Sequence, residues 1–201
     1  MSVLVAALVL AGGSASRMGG GDKPLLQVGD APILAWVIGV LRAETNLIAI
    51  SANGDPARFA AFGLPVLPDG PFAGEGPLAG VLAGLDWAAG CGAATLLTVP
   101  GDTPFIPPAL AAALAPAPAC AASNGRTHHL VSLWQVACRD ALRQRLSIPG
   151  PRGVGRFTAA IGMRAVDFAA HPCDPFLNVN TPEELAQARA LAGGAEPGES
   201  R

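Results

Sequence analysis

Residues 3–11 form an unbroken apolar run, VLVAALVLA, that opens directly into Gly12-Gly13 and then into a glycine-rich, charged stretch ending at Lys23. A run this apolar reads as a strand buried on both faces, and such strands belong to parallel sheets covered by helices on either side. The rest of the chain keeps to that rule, with apolar runs alternating with longer segments of helical period. The pattern predicts strands over 3–11, 47–52, 65–67, 94–99, 117–122, 130–134 and 163–168. Between them it predicts helices over 33–43, 56–62, 78–89, 107–114, 139–146 and 182–190, with a short one over 153–161. The expected fold class is α/β: a Rossmann-like three-layer sandwich with a mainly parallel, mixed sheet in a single domain.

Composition narrows the partners. With 201 residues the chain is long enough to bury a core without staples, and its 51% hydrophobic and 14% charged residues suit a sheet covered on both faces. A net charge of -2 leaves no broad basic field for nucleic acid or an anionic membrane, so any phosphate binding has to be local. The four cysteines, Cys91, Cys120, Cys138 and Cys173, are far apart and read as reduced thiols. No Lys or Arg precedes the run at 3–11, which argues against a secretion signal, and no other run is apolar enough to cross a bilayer; a cytoplasmic protein is expected. At the far end, Thr181, Pro182 and Glu184 form a capping-box start for the last helix. The domain is expected to span 1–191 and residues 192–201 to be a disordered tail.

In an open parallel sheet the loops at the carboxyl ends of the strands line the ligand crevice, and four polar clusters fall in such loops: 12–23, 53–55, 69–76 and 100–104. The first holds five glycines, Gly12, Gly13, Gly19, Gly20 and Gly21, with Arg17 and Lys23. Glycines let the backbone turn tightly and present several N–H groups to an anion, so the segment reads as a triphosphate cradle. It is not a Walker loop, because Lys23 follows Asp22 and precedes Pro24. Asn53 and Asp69 stand in turn-forming contexts, where local turn duty is the alternative to ligand contact. Asp102 follows an apolar strand, and a single carboxylate beside a triphosphate suffices for Mg2+, which fills its remaining positions with phosphate and water.

Taken in order, these segments resemble the molybdenum cofactor guanylyltransferases of the nucleotidyltransferase superfamily. The opening Leu10-Ala11-Gly12-Gly13-Ser14-Ala15-Ser16-Arg17-Met18 with Asp22-Lys23 is similar to that family's first signature, with one glycine inserted before Asp22. Gly76-Pro77-Leu78-Ala79-Gly80, Asp102-Thr103-Pro104 and Asn178-Val179-Asn180-Thr181-Pro182-Glu183-Glu184-Leu185 are further matches, spread over nearly the whole chain. Two departures stand out: Gly101 where the family often has cysteine, and His129 where it has proline.

The resemblance implies nucleotide contacts from Leu10, Ala11, Gly12, Gly13, Lys23, Asn53, Asp69 and Asp102, catalysis by Arg17, Lys23 and Asp102, and Asp102 as the magnesium ligand. Arg152, Asn178 and Asn180 are candidates for the second substrate, with Arg156 beside Arg152; solvated arginines are the open alternative for these two. His128 is expected to be structural. The implied substrates are GTP and the molybdopterin-bound molybdenum cofactor, with a molybdenum-insertion protein and molybdoenzyme chaperones as possible partners. A cytidylyltransferase of the same cofactor, a sugar-phosphate nucleotidyltransferase and a non-catalytic GTP-binding adaptor are the competing readings.

Overall fold

The computed structural model describes residues 4–12, 22–150, 152–170 and 173–194. Gly13 and Arg17 of the expected cradle therefore lie outside the described residues, as do residues 195–201 of the expected tail. The main sheet has seven strands in the order β5-β4-β1-β6-β8-β7-β9. These are β1 (Val5–Leu10), β4 (Ile48–Ser51), β5 (Val66–Leu67), β6 (Thr95–Pro100), β7 (Ala119–Ser123), β8 (Arg126–Gln135) and β9 (Arg164–Asp167). β5, β4, β1 and β6 pair in parallel, β8 runs antiparallel to both its neighbours, and β7 pairs in parallel with β9. The mainly parallel, mixed sheet is as expected.

Strand β1 shows why there are three layers. Its alternate residues divide between two cores: Ala7 and Val9 pack with Leu34, Val37 and Leu41 of α1 (Ile33–Arg42) and with Leu110 and Leu114 of α3 (Leu110–Leu114). Ala6 and Leu8 face the other side, against Leu78, Leu82 and Leu85 of α2 (Pro77–Gly90), Leu142 of α4 (Arg139–Ser147) and Phe157 of α5 (Val154–Ala160). Both faces are apolar, so the strand could not show the polar alternation of a half-exposed one. A small third core joins α6 (Pro182–Gly194) to Val28 and Ile33 through Ala188 and Val179.

Three elements differ from the expectations for local reasons. The helix expected over 56–62 forms with those bounds but with 3-10 geometry: Asp55 caps it through the N–H of Ala57 at 2.9 Å, and Gly63 ends it at φ 64°. The helix expected from 107 begins only at Leu110, where the Glu44 carboxylate accepts the N–H groups of Leu110 and Ala111 at 2.8 and 2.7 Å. β8 starts four residues before the predicted 130, because Asn124 and Gly125, at φ 49° and 70°, close a tight hairpin with β7. An additional hairpin of β2 (Gln27–Val28) and β3 (Ala31–Pro32) turns at Gly29 and was not predicted.

The end of the chain also departs from expectation. α6 runs on to Gly194, so the segment expected to be disordered from 192 begins as helix, with Ala192 against the third core. Its start matches the capping box, with Thr181 Oγ1 accepting the Glu184 N–H and Glu184 Oε2 accepting the N–H of Thr181. Among the described residues no helix is long and apolar enough to cross a membrane. All four cysteines are free thiols.

Candidate active site

The parallel strands β1, β4, β5 and β6 end on one side of the sheet, and their following loops enclose a cavity of about 470 Å³. It is lined by Leu10 and Gly12 after β1, Lys23 beyond, Ser51 and Asn53 after β4, Asp69 after β5, Asp102 after β6, and Gly80 on the first turns of α2. Asn178 reaches the same space from the segment before α6. Seven of the expected site residues thus meet in one cleft.

Asn53 and Asp69 lock onto one another. The Asn53 amide donates to Asp69 Oδ2 at 2.7 Å, and its own oxygen accepts the Asp69 N–H at 3.0 Å. The hydroxyl of buried Ser51 lies 3.5 Å from the other carboxylate oxygen, at the outer limit for a hydrogen bond. Gly80 is what allows this closeness: a Cβ there would stand 2.4 Å from Ser51 Oγ and 3.3 Å from Asp69 Oδ1. The Gly-Pro-Leu-Ala-Gly segment therefore starts α2 and leaves room for the polar pair beside it.

The opposite end carries the charge. Lys23 Nζ donates to Asn180 Oδ1 at 2.7 Å, across 157 residues of sequence. Asp102 is half-buried; burial pushes its carboxyl above the ordinary value, with the attraction of the Lys23 ammonium the main influence pulling it down. The segment carrying the asparagines is fastened to the same loop, since the Val179 N–H donates to the Asp102 carbonyl at 2.8 Å and Thr103 Oγ1 donates to Asn178 Oδ1 at 2.9 Å. Gly101 fits a tight space: a Cβ would come within 3.1 Å of the Pro24 ring and 3.3 Å of the Leu10 carbonyl oxygen. A cysteine there would press on the residue that follows Lys23.

Other expected residues fall outside the lining. Ala11 is buried beside the cavity at 2% exposure, and Asn180 acts through Lys23. Arg152 forms an ion pair with Glu75, in the loop that continues from Asp69, and Arg156 lies within α5. His128 lies outside the lining and is held by the fold: Ser123 Oγ lies 2.8 Å from its Nε2, its ring sits 5.0 Å from that of Phe176, and burial lowers its pKa. Two residues were not anticipated from the sequence. Thr103 anchors Asn178, and Arg58, in the 3-10 helix, bonds both Asp22 and the Asn53 carbonyl.

The donor set fits magnesium. Among the described residues no three carboxylate, histidine or cysteine groups gather as a closed metal site. Two carboxylates line the cavity: Asp69 is engaged by Asn53, and Asp102 is the desolvated one, with the Lys23 ammonium pulling on it. That is the arrangement a hard cation uses when phosphates and water complete its shell.

Comparison with known proteins agrees with this geometry. Residues 7–168 match the MobA-like NTP transferase domain family. A molybdenum cofactor guanylyltransferase of Acidiphilium cryptum is 55% identical over 184 residues, covering 92% of this chain and 93% of that protein. One from Rhodopseudomonas palustris is 48% identical over 195 residues, covering 92% and 91%. The crystal structure of molybdopterin-guanine dinucleotide biosynthesis protein A from Archaeoglobus fulgidus superposes with a TM-score of 0.72 at 17% identity, over 96% of this chain and 100% of that one. At that identity it speaks for the fold alone.

The family match and these relatives, on a fold and cleft that suit them, make the chain a nucleotidyltransferase. Within that class, the chain belongs to the MobA-like NTP transferase domain family.

Proposed function

We propose that the chain is a molybdenum cofactor guanylyltransferase, moving GMP from GTP to the molybdopterin-bound cofactor in the cytoplasm. An oxygen of the pterin's terminal phosphate attacks the α-phosphorus of GTP, the bond to the β-phosphate breaks, and pyrophosphate leaves with its electron pair. The nucleophile is a phosphate already ionised at neutral pH, so the reaction asks for no activated serine, cysteine or histidine. The cleft supplies charge and position instead, as in other phosphoryl transfers.

The observation that carries the reading is the division of labour within one cavity. At one end the Asn53–Asp69 pair presents amide and carboxylate groups, and guanine's N1–H and exocyclic amine are the donors a fixed carboxylate recognises. At the other end Lys23 and Asp102 face the place where phosphate charge would gather. Asp102 is the residue to hold Mg2+, which when bound neutralises charge on the transferring phosphoryl group. Lys23 adds an ammonium held by Asn180, and Arg17 is assigned the same task from the sequence. Asn178 and Asn180, with Arg152 at the rim, are assigned to the second substrate. The relatives named above support the pterin acceptor.

The deciding experiment offers the purified protein GTP, magnesium and molybdenum-loaded molybdopterin, beside a matched reaction with CTP, and measures pyrophosphate. Release with GTP and little with CTP is the expected result. A preference for CTP would make the protein a cytidylyltransferase, and GTP binding without pyrophosphate release would make it an adaptor.

A further inference from the structure

Arg58 takes no part in the chemistry described so far, yet its guanidinium bonds Asn53 at one end of the cleft and, beside the other end, the residue that precedes Lys23. Nη1 donates to Asp22 Oδ1 at 2.5 Å, and Nη2 donates to the Asn53 carbonyl oxygen at 2.6 Å. The side chain is 29% exposed, and its charge lies 4.8 Å over the Phe59 ring. Nε is buried and has no hydrogen-bond partner among the described residues, so the two Nη bonds are the ones that fix the guanidinium. Asp22 sits where the glycine-rich stretch ends and immediately before Lys23, whose ammonium is held on Asn180. Asn53 is the amide locked to Asp69. The two are 31 residues apart in sequence, and the planar fork of one arginine spans them, which a lysine's single head does not do as well.

We propose that Arg58 is a positioning residue that couples the base end of the nucleotide cleft to the phosphate end. This rests on the nucleotidyl-transfer reading above. A base that orders Asn53 and Asp69 also orders the Asn53 carbonyl, and through Arg58 and Asp22 it sets the backbone that aims Lys23. Binding at one end thereby favours the geometry the other end needs, and a wrong base leaves Lys23 less well placed. In kinetic terms Arg58 should act more on kcat than on KM.

The test uses the full chain with guanosine and tripolyphosphate as separate probes, each titrated alone and in the presence of the other, for wild type, Arg58→Ala, Arg58→Lys and Asp22→Asn. In the wild type each probe is expected to strengthen the other by about 5-fold, within the usual range for coupled sites. In Arg58→Ala and Asp22→Asn that coupling should fall to within about 2-fold of none, with Arg58→Lys intermediate. A parallel assay of turnover should show Arg58→Ala losing on the order of 10-fold in kcat with a smaller change in KM. Asp22→Asn keeps the size of the side chain and the packing of Arg58 on Phe59, so it answers the question even if Arg58→Ala folds poorly. Coupling that is absent in the wild type, or that survives in both variants, overturns the proposal, as does a lowered melting temperature with the coupling intact. A wild type that fails to bind GTP sinks the guanylyltransferase reading and this inference together. A wild type that binds GTP, with Arg58→Ala and Asp22→Asn variants that keep its coupling, sinks the inference alone.

Discussion

The Asn53–Asp69 end and the Lys23–Asp102 end of the cleft, proposed to take base and phosphates, are built on different scales. Asn53 and Asp69 are 16 residues apart, each just past the end of its own parallel strand, and they bond directly to each other. Lys23 is held by Asn180, 157 residues away, and the Asp102 loop is tied to the Asn178 segment through Thr103 and the Val179 N–H. Neighbouring strands of one sheet place the first pair almost without further help. The second needs the chain to return from beyond β9 and lay a segment without regular structure across the strand ends. The Asn53–Asp69 end is thus preorganised by local topology, whereas the Lys23–Asp102 end depends on the whole domain being folded.

The strongest way to break that contrast is to remove charge from the far end. Asp102→Ala and Lys23→Ala are each expected to lower turnover by on the order of 100-fold or more, the scale for losing a charge-stabilising group. Pyrophosphate release measures it, and a near-normal rate in Asp102→Ala would end the metal assignment. The ligand-free fold should respond in the opposite sense. A carboxyl whose folded pKa is raised above its unfolded value is penalised for its charge at neutral pH, so Asp102→Asn should melt no lower than the wild type while losing activity.

At the base end the expected change is smaller and is one of kind. Asp69→Asn replaces an acceptor with a group that can also donate, and kcat/KM for GTP should fall on the order of 10-fold to 100-fold while that for CTP changes little. Equal losses for the two nucleotides would show that Asp69 does not read the base.

Two glycines of α2 sharpen the same comparison. A Cβ on Gly80 meets Ser51 Oγ at 2.4 Å, whereas one on Gly84 meets Leu8 Cδ2 at 2.4 Å and Leu96 Cδ2 at 3.0 Å. Gly80→Ala should displace Ser51 and Asp69 and raise KM for GTP by about 10-fold, with the overlap on Ser51 partly offset in stability by alanine's helix preference. Gly84→Ala should overpack the core, costing about 1–3 kcal/mol in urea unfolding, and leave KM close to normal.

How much of this was legible beforehand follows from the same division of scale. The alternation of apolar runs exposed the sheet, because a strand such as β1 is buried on both faces and its sequence has nothing polar to confuse the reading. The strand-end positions of Asn53, Asp69 and Asp102 followed from topology, and their grouping in one cavity came with it. Arg58 and Thr103 were missed because their partners are chosen by tertiary contact: an arginine in a short 3-10 helix looks like any surface arginine until Asp22 is brought to it. The β7–β8 hairpin had a cue in Asn124-Gly125, a pair suited to two successive positive φ values, and that cue went unused. The helix does not start at 107 for a reason the residues did contain, since Pro108 disfavours the helical region at Pro107; with Ala109 at φ 56° the observed helix begins where Glu44 supplies the cap.

The smallest expected effect tests whether the returning segment is held independently of the reaction. Asp174 accepts hydrogen bonds from Ser123 Oγ at 2.8 Å and from the Phe176 N–H at 2.9 Å, and Phe176 packs on His128, so these groups pin the chain just before Asn178. Burial pushes the Asp174 carboxyl up, but the Phe176 N–H, the Ser123 hydroxyl and the nearby His128 outweigh it and hold it below the ordinary value. A depressed carboxyl contributes stability that is complete above its unfolded pKa of about 3.9 and is lost as pH falls through the folded value. Asp174→Asn should therefore cost about 1 kcal/mol at neutral pH, a modest figure for bonds to a partly exposed charge, and the gap should close on acidification below about pH 4. His128 has its pKa lowered chiefly by burial, against the pull of Asp174, so the stability it contributes is complete above about pH 6.5 and declines as pH falls through the folded value. His128→Gln should flatten that part of the stability–pH curve in urea melts while changing turnover by no more than about 3-fold, since the ring acts on Phe176 and not on the cleft. A large loss of turnover with stability unchanged would place His128 in the chemistry and undo the separation between the segment's anchor and its working asparagines.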